Sequence, residues 1–212
     1  MTEKLDLQRE LKEFYRPAAR APQFVILPPL KYLMIEGRLQ PGERPGESEQ
    51  FARATEALYG LAYTIKFMSK LRESSPVDFK VMGLEGQWWV ESGKFGLDPN
   101  EPWCFNLMIM QPEHITPEMF RAAADELRKK KGELPALAKM RLEEFTEGAC
   151  VQMMHIGPYS DEERTFSRMH DFAIENGYEF SGKHHEIYMG DPRRTAPDKL
   201  KTILRMPVRK ST

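Results

Sequence analysis

The chain has little of several things, and each scarcity removes a class of protein. It carries two cysteines, Cys104 and Cys150, in 212 residues. Two distant thiols make neither a disulfide framework nor a zinc site, so a reducing cytoplasmic setting is expected. No apolar run approaches the roughly 18 residues that a spanning helix needs. The stretch Met1 to Arg16 is charged and shows no apolar signal core, so no signal peptide and no membrane partner are expected. Charge of one sign is also missing: the net charge is −1, with acids and bases interspersed. Nucleic acid as a direct partner is disfavoured, because phosphate binding needs a concentrated basic face. The longest basic run, Arg128 to Lys131, ends a predicted helix, where cations oppose the dipole. No glycine-rich phosphate loop is present, and the histidines lack metal-ligand spacing. His184 and His185 are adjacent and would point to opposite strand faces; His155 and His170 lie elsewhere. No cofactor and no metal are expected.

What is present is a soluble composition, 41% hydrophobic and 30% charged, in a chain long enough to bury a core. Residues 1–22 read as an N-terminal extension; Met1 to Tyr15 could form a short helix, and Arg16 to Pro29, with several prolines, reads as an extended lead-in. Lys31 to Gly37 reads as a strand. Phe51, Ala54, Leu58, Leu61, Ile65 and Met68 recur at spacings of three and four, which predicts an amphipathic helix. Phe79 to Val90 and Trp103 to Met110 read as strands, with Gly83 and Gly86 weakening or bulging the former. Pro117 to Lys131 is a helix with proline in its first turn. Lys139 to Phe145 and Ala149 to Ile156 are strands. Gly157-Pro158-Tyr159-Ser160 turns into a helix whose Ser160 and Glu163 make a capping box. Tyr178 to Met189 and Leu200 to Val208 are the last strands.

An internal repeat emerges from this order. Lys31 to Met110 and Ala149 to Val208 each run strand, helix, strand, strand. The expected fold is α+β: two such modules, about 31–112 and 139–208, related by a pseudo-two-fold axis. Helices on one side of the antiparallel sheet would leave a central ligand groove on the other.

The chemistry concentrates in Gly182-Lys183-His184-His185-Glu186-Ile187-Tyr188-Met189-Gly190. Alternation places His184, Glu186 and Tyr188 on one face. A carboxylate flanked by aromatics is a poor core and a plausible cleft floor, although a solvated strand face would carry the same residues. Tyr59 and Tyr63 lie at the edge of the first helix stripe. Trp88 and Trp89 are adjacent, so only one faces the groove unless Gly86 marks a bulge; either assignment fits.

Together, Gly157-Pro158-Tyr159, the His184–Tyr188 strand, Asp191-Pro192-Arg193-Arg194-Thr195 and Leu200 to Val208 resemble the GyrI-like small-molecule-binding family. So do Tyr59-Gly60-Leu61-Ala62-Tyr63, Leu84-Glu85-Gly86-Gln87-Trp88-Trp89 and Met108-Ile109-Met110-Gln111-Pro112. The resemblance spans about Pro22 to Val208 and is closest to a stand-alone branch. It implies a single domain over 23–212 and a groove that receives flat, often cationic compounds over a buried glutamate. Carried onto this sequence, the glutamate is Glu186 with Tyr188 beside it, the catalytic candidates. Trp88, Trp89, Tyr59, Tyr63, Tyr159 and His184 are the ligand-binding candidates. Some stand-alone members hydrolyse the cyclopropane of spiro-cyclopropanoid DNA-alkylating compounds, which makes a hydrolase one expectation. A binding or sequestering protein without chemistry is a second. An effector-sensing module is a third, which the short N-terminal extension disfavours unless a partner chain binds DNA.

Overall fold

The computed structural model describes residues 4–92 and 101–211. The chain divides into two compact units. The first holds the residues through Leu7 with Leu30–Leu84 and Trp89–Phe145; the second holds Gln8–Pro29, Glu85–Trp88 and Thr146–Thr212.

Strands β2 (Leu30–Arg38), β4 (Trp103–Gln111) and β5 (Arg141–Phe145) build the antiparallel ladder of the first unit. Central β2 pairs with β4, for example Met34 opposite Met108, and with β5, for example Leu33 opposite Leu142. Two helices, α3 (Glu49–Leu71) and α4 (Pro117–Lys131), belong to the same unit. The α3 stripe is buried at Ala54, Leu58, Leu61 and Ile65, as its periodicity requires. Ser48 caps α3 by accepting from the Phe51 amide, and Thr116 caps α4 by accepting from the Met119 amide. Tyr59 and Tyr63 lie beside this stripe with ring centroids 6.4 Å apart, and Tyr63 is half exposed.

The second unit is the one that carries the chemistry. Its ladder runs β1 (Gln23–Leu27), β6 (Gly148–Ile156), β9 (Lys201–Lys210), β8 (His184–Tyr188), all antiparallel; residues Glu85–Trp88 of β3 (Glu85–Val90) pair with β8. A short β7 (Tyr178–Phe180) pairs with the far end of β9. Helix α5 (Glu162–Glu175) packs on one face through Met169 and Ala173, against Val151, Met153, Leu204, Met206 and Val208.

The antiparallel α+β class and the strand-helix-strand-strand order hold: β2-α3-β3-β4 and β6-α5-β8-β9. Several details differ from the sequence reading, and the strand read over Phe79 to Val90 is confined to Glu85–Val90. Residues 16–29 contain a paired strand, β1, rather than only a lead-in. The extension before it folds as two short helices, α1 (Leu7–Glu10) and α2 (Lys12–Tyr15), which bury Leu7, Phe14 and Tyr15. The stretch Tyr178 to Met189 is two strands, broken where Gly182 adopts φ +78°, a conformation that suits glycine. Ser160 and Glu163 do not form a capping box: Tyr159–Asp161 is a 3-10 turn, so the N-cap falls on Asp161, and Ser160 donates to the Asp161 carboxylate instead.

Truncating the α3 stripe tests the first unit's core. Leu61→Ala, at a fully buried position, should cost about 2–5 kcal/mol. Leu71→Ala, at an exposed position of the same helix, should stay within about 0.5 kcal/mol. Urea denaturation midpoints measure both.

Candidate functional site

Strand β8 carries chemistry on both faces. Glu186 stands opposite Leu204 on β9 and Gly86 on β3, and His184 stands opposite Trp88. Antiparallel partners share a face, so Glu186, His184, Tyr188 and Trp88 lie on the side where Leu204 packs under α5. This corrects the expectation of a candidate glutamate on a helix-free face. The reactive side chains sit beside the N-terminal end of α5, where the apolar packing gives way to Glu162 and the Gly157–Asp161 turn.

Glu186 is 12% exposed. Its Oε1 meets His184 Nε2 at 3.1 Å. A carboxylate only accepts, so the ring nitrogen is the donor. Tyr188 donates to Glu186 and accepts from the Trp88 indole N–H at 3.1 Å. Burial, then the charge and hydrogen bond of Glu186, hold the Tyr188 phenol well above its usual range, with the Trp88 donation opposing. Tyr188 therefore remains a donor at any ordinary pH. Gly86 makes this geometry possible. The β3–β8 register is regular, without a bulge at Gly86, and a Cβ there would lie 3.0 Å from Trp88 Nε1 and 3.4 Å from the Tyr188 hydroxyl. The glycine leaves room for the indole.

Tyr159 meets Tyr188 edge to face, centroids 6.0 Å apart, and is 40% exposed. Burial and then the carboxylates of Glu186, Glu162 and Asp191 push its phenol up to about 12. Phe166 of α5 packs edge to face on His184 at 5.5 Å. The turn that bears Tyr159 is held by buried His155. Its Nε2 donates to the Pro158 carbonyl at 3.1 Å, and its Nδ1 accepts from the Thr165 hydroxyl at 2.9 Å.

Glu162, the first residue of α5, completes the cluster, and sequence reading missed it. Ligand atoms of Glu162, His184 and Glu186 all lie within 4.8 Å of one another. Burial and the nearby Glu186 charge push the Glu162 carboxyl up to about 9, with Thr202 opposing. The helix N-terminus also favours the anion, but by only about 0.3–1 kcal/mol, against about 1.4 kcal/mol for every pKa unit of upward shift. The sequence held no metal-ligand spacing because the three donors come from two elements. Their separation admits a shared proton or a bound cation equally.

The opposite face of β8 explains why this floor stays in place. His185 points there, fully buried, between Glu147 (Nδ1 to Oε1, 3.0 Å) and Glu85 (Nε2 to Oε2, 3.1 Å). Arg205 binds Glu147 at 3.3 Å and Gln152 at 3.1 Å, and donates to the Phe14 carbonyl at 2.9 Å. Tyr15 donates to Glu85 at 2.7 Å, and Gln152 donates to the Glu13 carbonyl at 2.9 Å. Burial by itself lowers the His185 pKa, but Glu147 and Glu85 outweigh it and lift the imidazole to about 9. Glu147 ends below its usual value: burial raises it, and His185 and Arg205 pull it further down.

Of the sequence candidates, Glu186, Tyr188, His184, Trp88 and Tyr159 come together in the second unit. Tyr59, Tyr63 and Trp89 belong to the first. Trp89 is one position from Trp88 and points to the other face of β3. The first unit has its own cavity of about 510 Å³, between α3 and the segment Leu134–Ala136. No aromatic residue lines it, so it offers no wall for a flat ligand.

A carboxylate with two donors is framed here by a tryptophan and two tyrosines. The chain belongs to the GyrI-like family: the GyrI-like small molecule binding domain matches residues 20–209. An uncharacterized conserved protein from Listeria innocua is 40% identical, with a TM-score of 0.88 over 97% of this chain and 100% of that one. A hydrolase from Listeria innocua is 38% identical, with a TM-score of 0.83 over 97% and 100%. The C-terminal domain of EcmrR, 10% identical with a TM-score of 0.50 over 89% and 97%, shares the fold alone. No curated protein matches this chain. No helix among the described residues is long and apolar enough to cross a membrane.

The buried ion network should shape stability against pH. The raised His185 contributes stability that is complete below about 6.5 and lost as pH rises through about 9. The depressed Glu147 contributes stability that is complete above 4.5 and lost as pH falls. These two groups together predict a plateau from about 4.5 to 6.5. Denaturation midpoints measured against pH should show the alkaline decline in the wild type and a much flatter one in His185→Gln. Glu147→Ala should cost about 3–5 kcal/mol, because it leaves buried cations unpaired.

Proposed function

We propose that the protein binds flat aromatic or cationic xenobiotics at Glu186, and that it hydrolyses the strained cyclopropane of spiro-cyclopropanoid DNA-alkylating compounds. The observation that carries this reading is Glu186 itself: a shielded carboxylate held by His184 and Tyr188, under Trp88 and Tyr159. The 38% identity to a hydrolase over the full length of that chain supports it.

In such substrates the spiro carbon is conjugated to a carbonyl. In this reading Glu186 takes a proton from water as the water oxygen bonds the cyclopropane methylene. The methylene–spiro carbon bond breaks, and its electron pair passes through the ring to the carbonyl oxygen. A phenol donor stabilises that developing oxyanion. The single O–H of Tyr188 is engaged with Glu186, so the donor on hand is Tyr159, which remains protonated. The proton held on Glu186 then balances the phenolate, and the net change is addition of water. The aromatic walls bind the flat body by area and stacking. No cofactor takes part in these steps.

A second reading, binding or sequestration without chemistry, draws on the same carboxylate as a counter-ion for a cation among aromatic rings. An effector-sensing role would use the site in the same way.

Incubation with a spiro-cyclopropanoid compound, followed by mass detection of the ring-opened hydrate, separates these readings. Glu186→Gln should keep binding within a few fold and lower turnover by about 100-fold or more. Trp88→Ala should weaken binding by about 1 kcal/mol or more. Tight binding with no hydrate from the wild type would establish the binder and remove the hydrolase. Undiminished turnover in Glu186→Gln would take this residue out of the mechanism.

A further inference from the structure

The outermost strands of the two units are guarded differently. β5, at the edge of the first unit's ladder, carries Arg141, Glu143 and Glu144, charges that discourage a further strand from pairing. β1, at the edge of the second unit's ladder, is Gln23-Phe24-Val25-Ile26-Leu27 and carries none. One side of β1 pairs with β6, and among the described residues no strand pairs with the other. Helix α2 approaches β1 on a sheet face: Gln23 donates to the Glu13 carbonyl at 3.4 Å, on the side shared by Gln152, which binds the same carbonyl. On the opposite face Ile26 is 78% exposed and Phe24 is 39% exposed. An uncharged apolar edge of this kind is a template for another strand.

We propose that β1 pairs with β1 of a second copy of this chain, antiparallel about a two-fold axis through Val25, so that two copies of the second unit share one continuous sheet. The strand is its own complement in this register. Phe24 stands opposite the partner's Ile26, and Ile26 opposite the partner's Phe24, an aromatic against a β-branched side chain on both sides of the axis. The same register sets Pro22 opposite the partner's Pro28 at each end. Proline cannot donate to a ladder, so these residues confine the pairing to Gln23–Leu27. Moving the axis to Phe24 sets Pro22 against the partner's Ile26, and moving it to Ile26 sets Pro28 against the partner's Phe24. A closed two-fold pairing uses the open edge of both copies and leaves none for a third.

Charge points to the same partner. Helix α5 lies over this part of the sheet: Phe172 packs on Phe24 with ring centroids 5.0 Å apart, and Arg168 donates to the Arg20 carbonyl just before β1. The flank that bears them runs Arg164, Arg168, Asp171, Glu175 at intervals of three and four, all exposed. Its first half is basic and its second half is acidic. The two-fold axis stands normal to the sheet and runs the two copies of α5 antiparallel. Each basic half then lies toward the partner's acidic half, and Arg164 toward the partner's Glu175. A parallel arrangement would set like charge against like.

Sedimentation equilibrium on the full chain tests the proposal. The wild type should form dimers of twice 24.6 kDa, with a Kd of about 1 μM or tighter. Ile26→Lys places a charge on the open edge and should weaken dimerisation by about 100-fold or more. Its circular dichroism should match the wild type, because the native side chain is largely in solvent. Ile174→Lys, at an exposed position that the helical period turns away from the flank, should dimerise as the wild type does. A wild type that stays monomeric up to about 100 μM overturns the proposal, and so does undiminished dimerisation of Ile26→Lys. Oxidative cross-linking reads the register and does not depend on Ile26→Lys folding. Val25→Cys brings two thiols together at the axis on Cα atoms about 4.5–5.5 Å apart, within the span that a disulfide bridges. The native Cys104 and Cys150 are buried. Mild oxidation should link Val25→Cys into covalent dimers and leave Ile174→Cys unlinked. Equal linking of the two variants, or none in Val25→Cys, overturns the proposed pairing.

Discussion

The ion cluster around His185 and Arg205 is the constraint on which the second unit depends. Four charged side chains, two of each sign, are buried together where water cannot screen them. Such a group is costly to bury and more costly to break. Each charge is matched to particular partners: Glu147 to His185 and Arg205, and Glu85 to His185. The cluster also reaches beyond the sheet. Arg205 and Gln152 bind the carbonyls of Phe14 and Glu13, and Tyr15 binds Glu85. The segment that reads as an extension is thereby part of the unit's interior.

The two faces of β8 divide the labour. His185 fixes the strand from beneath, and the residues on either side of it, His184 and Glu186, face the opposite way with their backbone already held. The candidate carboxylate therefore sits on an anchored strand and is held further by its hydrogen bonds with His184 and Tyr188.

Much of this was legible in the sequence. Hydrophobic period found α3, α4 and α5 and most strands, and alternation grouped His184, Glu186 and Tyr188 correctly. What it missed came from charges that contradict their surroundings. Arg205 lies in Ile203-Leu204-Arg205-Met206, and Gln152 lies in Cys150-Val151-Gln152-Met153. A polar residue inside an otherwise apolar strand is a signal of a buried partner, but the partner lies far away in the chain and only the fold supplies it. Glu162 was hidden for another reason. An acid in the first turn of a helix already has an explanation in the dipole, so nothing marked it as a neighbour of Glu186. The capping box failed because a 3-10 turn moved the helix start by one residue, a shift that local pattern does not encode.

Placing the carboxylate beside α5 has a mechanical consequence. The floor of the site and the apolar core formed by Met169, Phe166 and Phe180 are the two ends of one surface. Tyr159 and Tyr188 already touch edge to face, so a guest taken in at Glu186 under the proposed reading has to part those rings, and moving Tyr159 strains the His155 clamp on its turn. Under that reading the choice of guests is a question of stiffness, set by the compliance of a single turn.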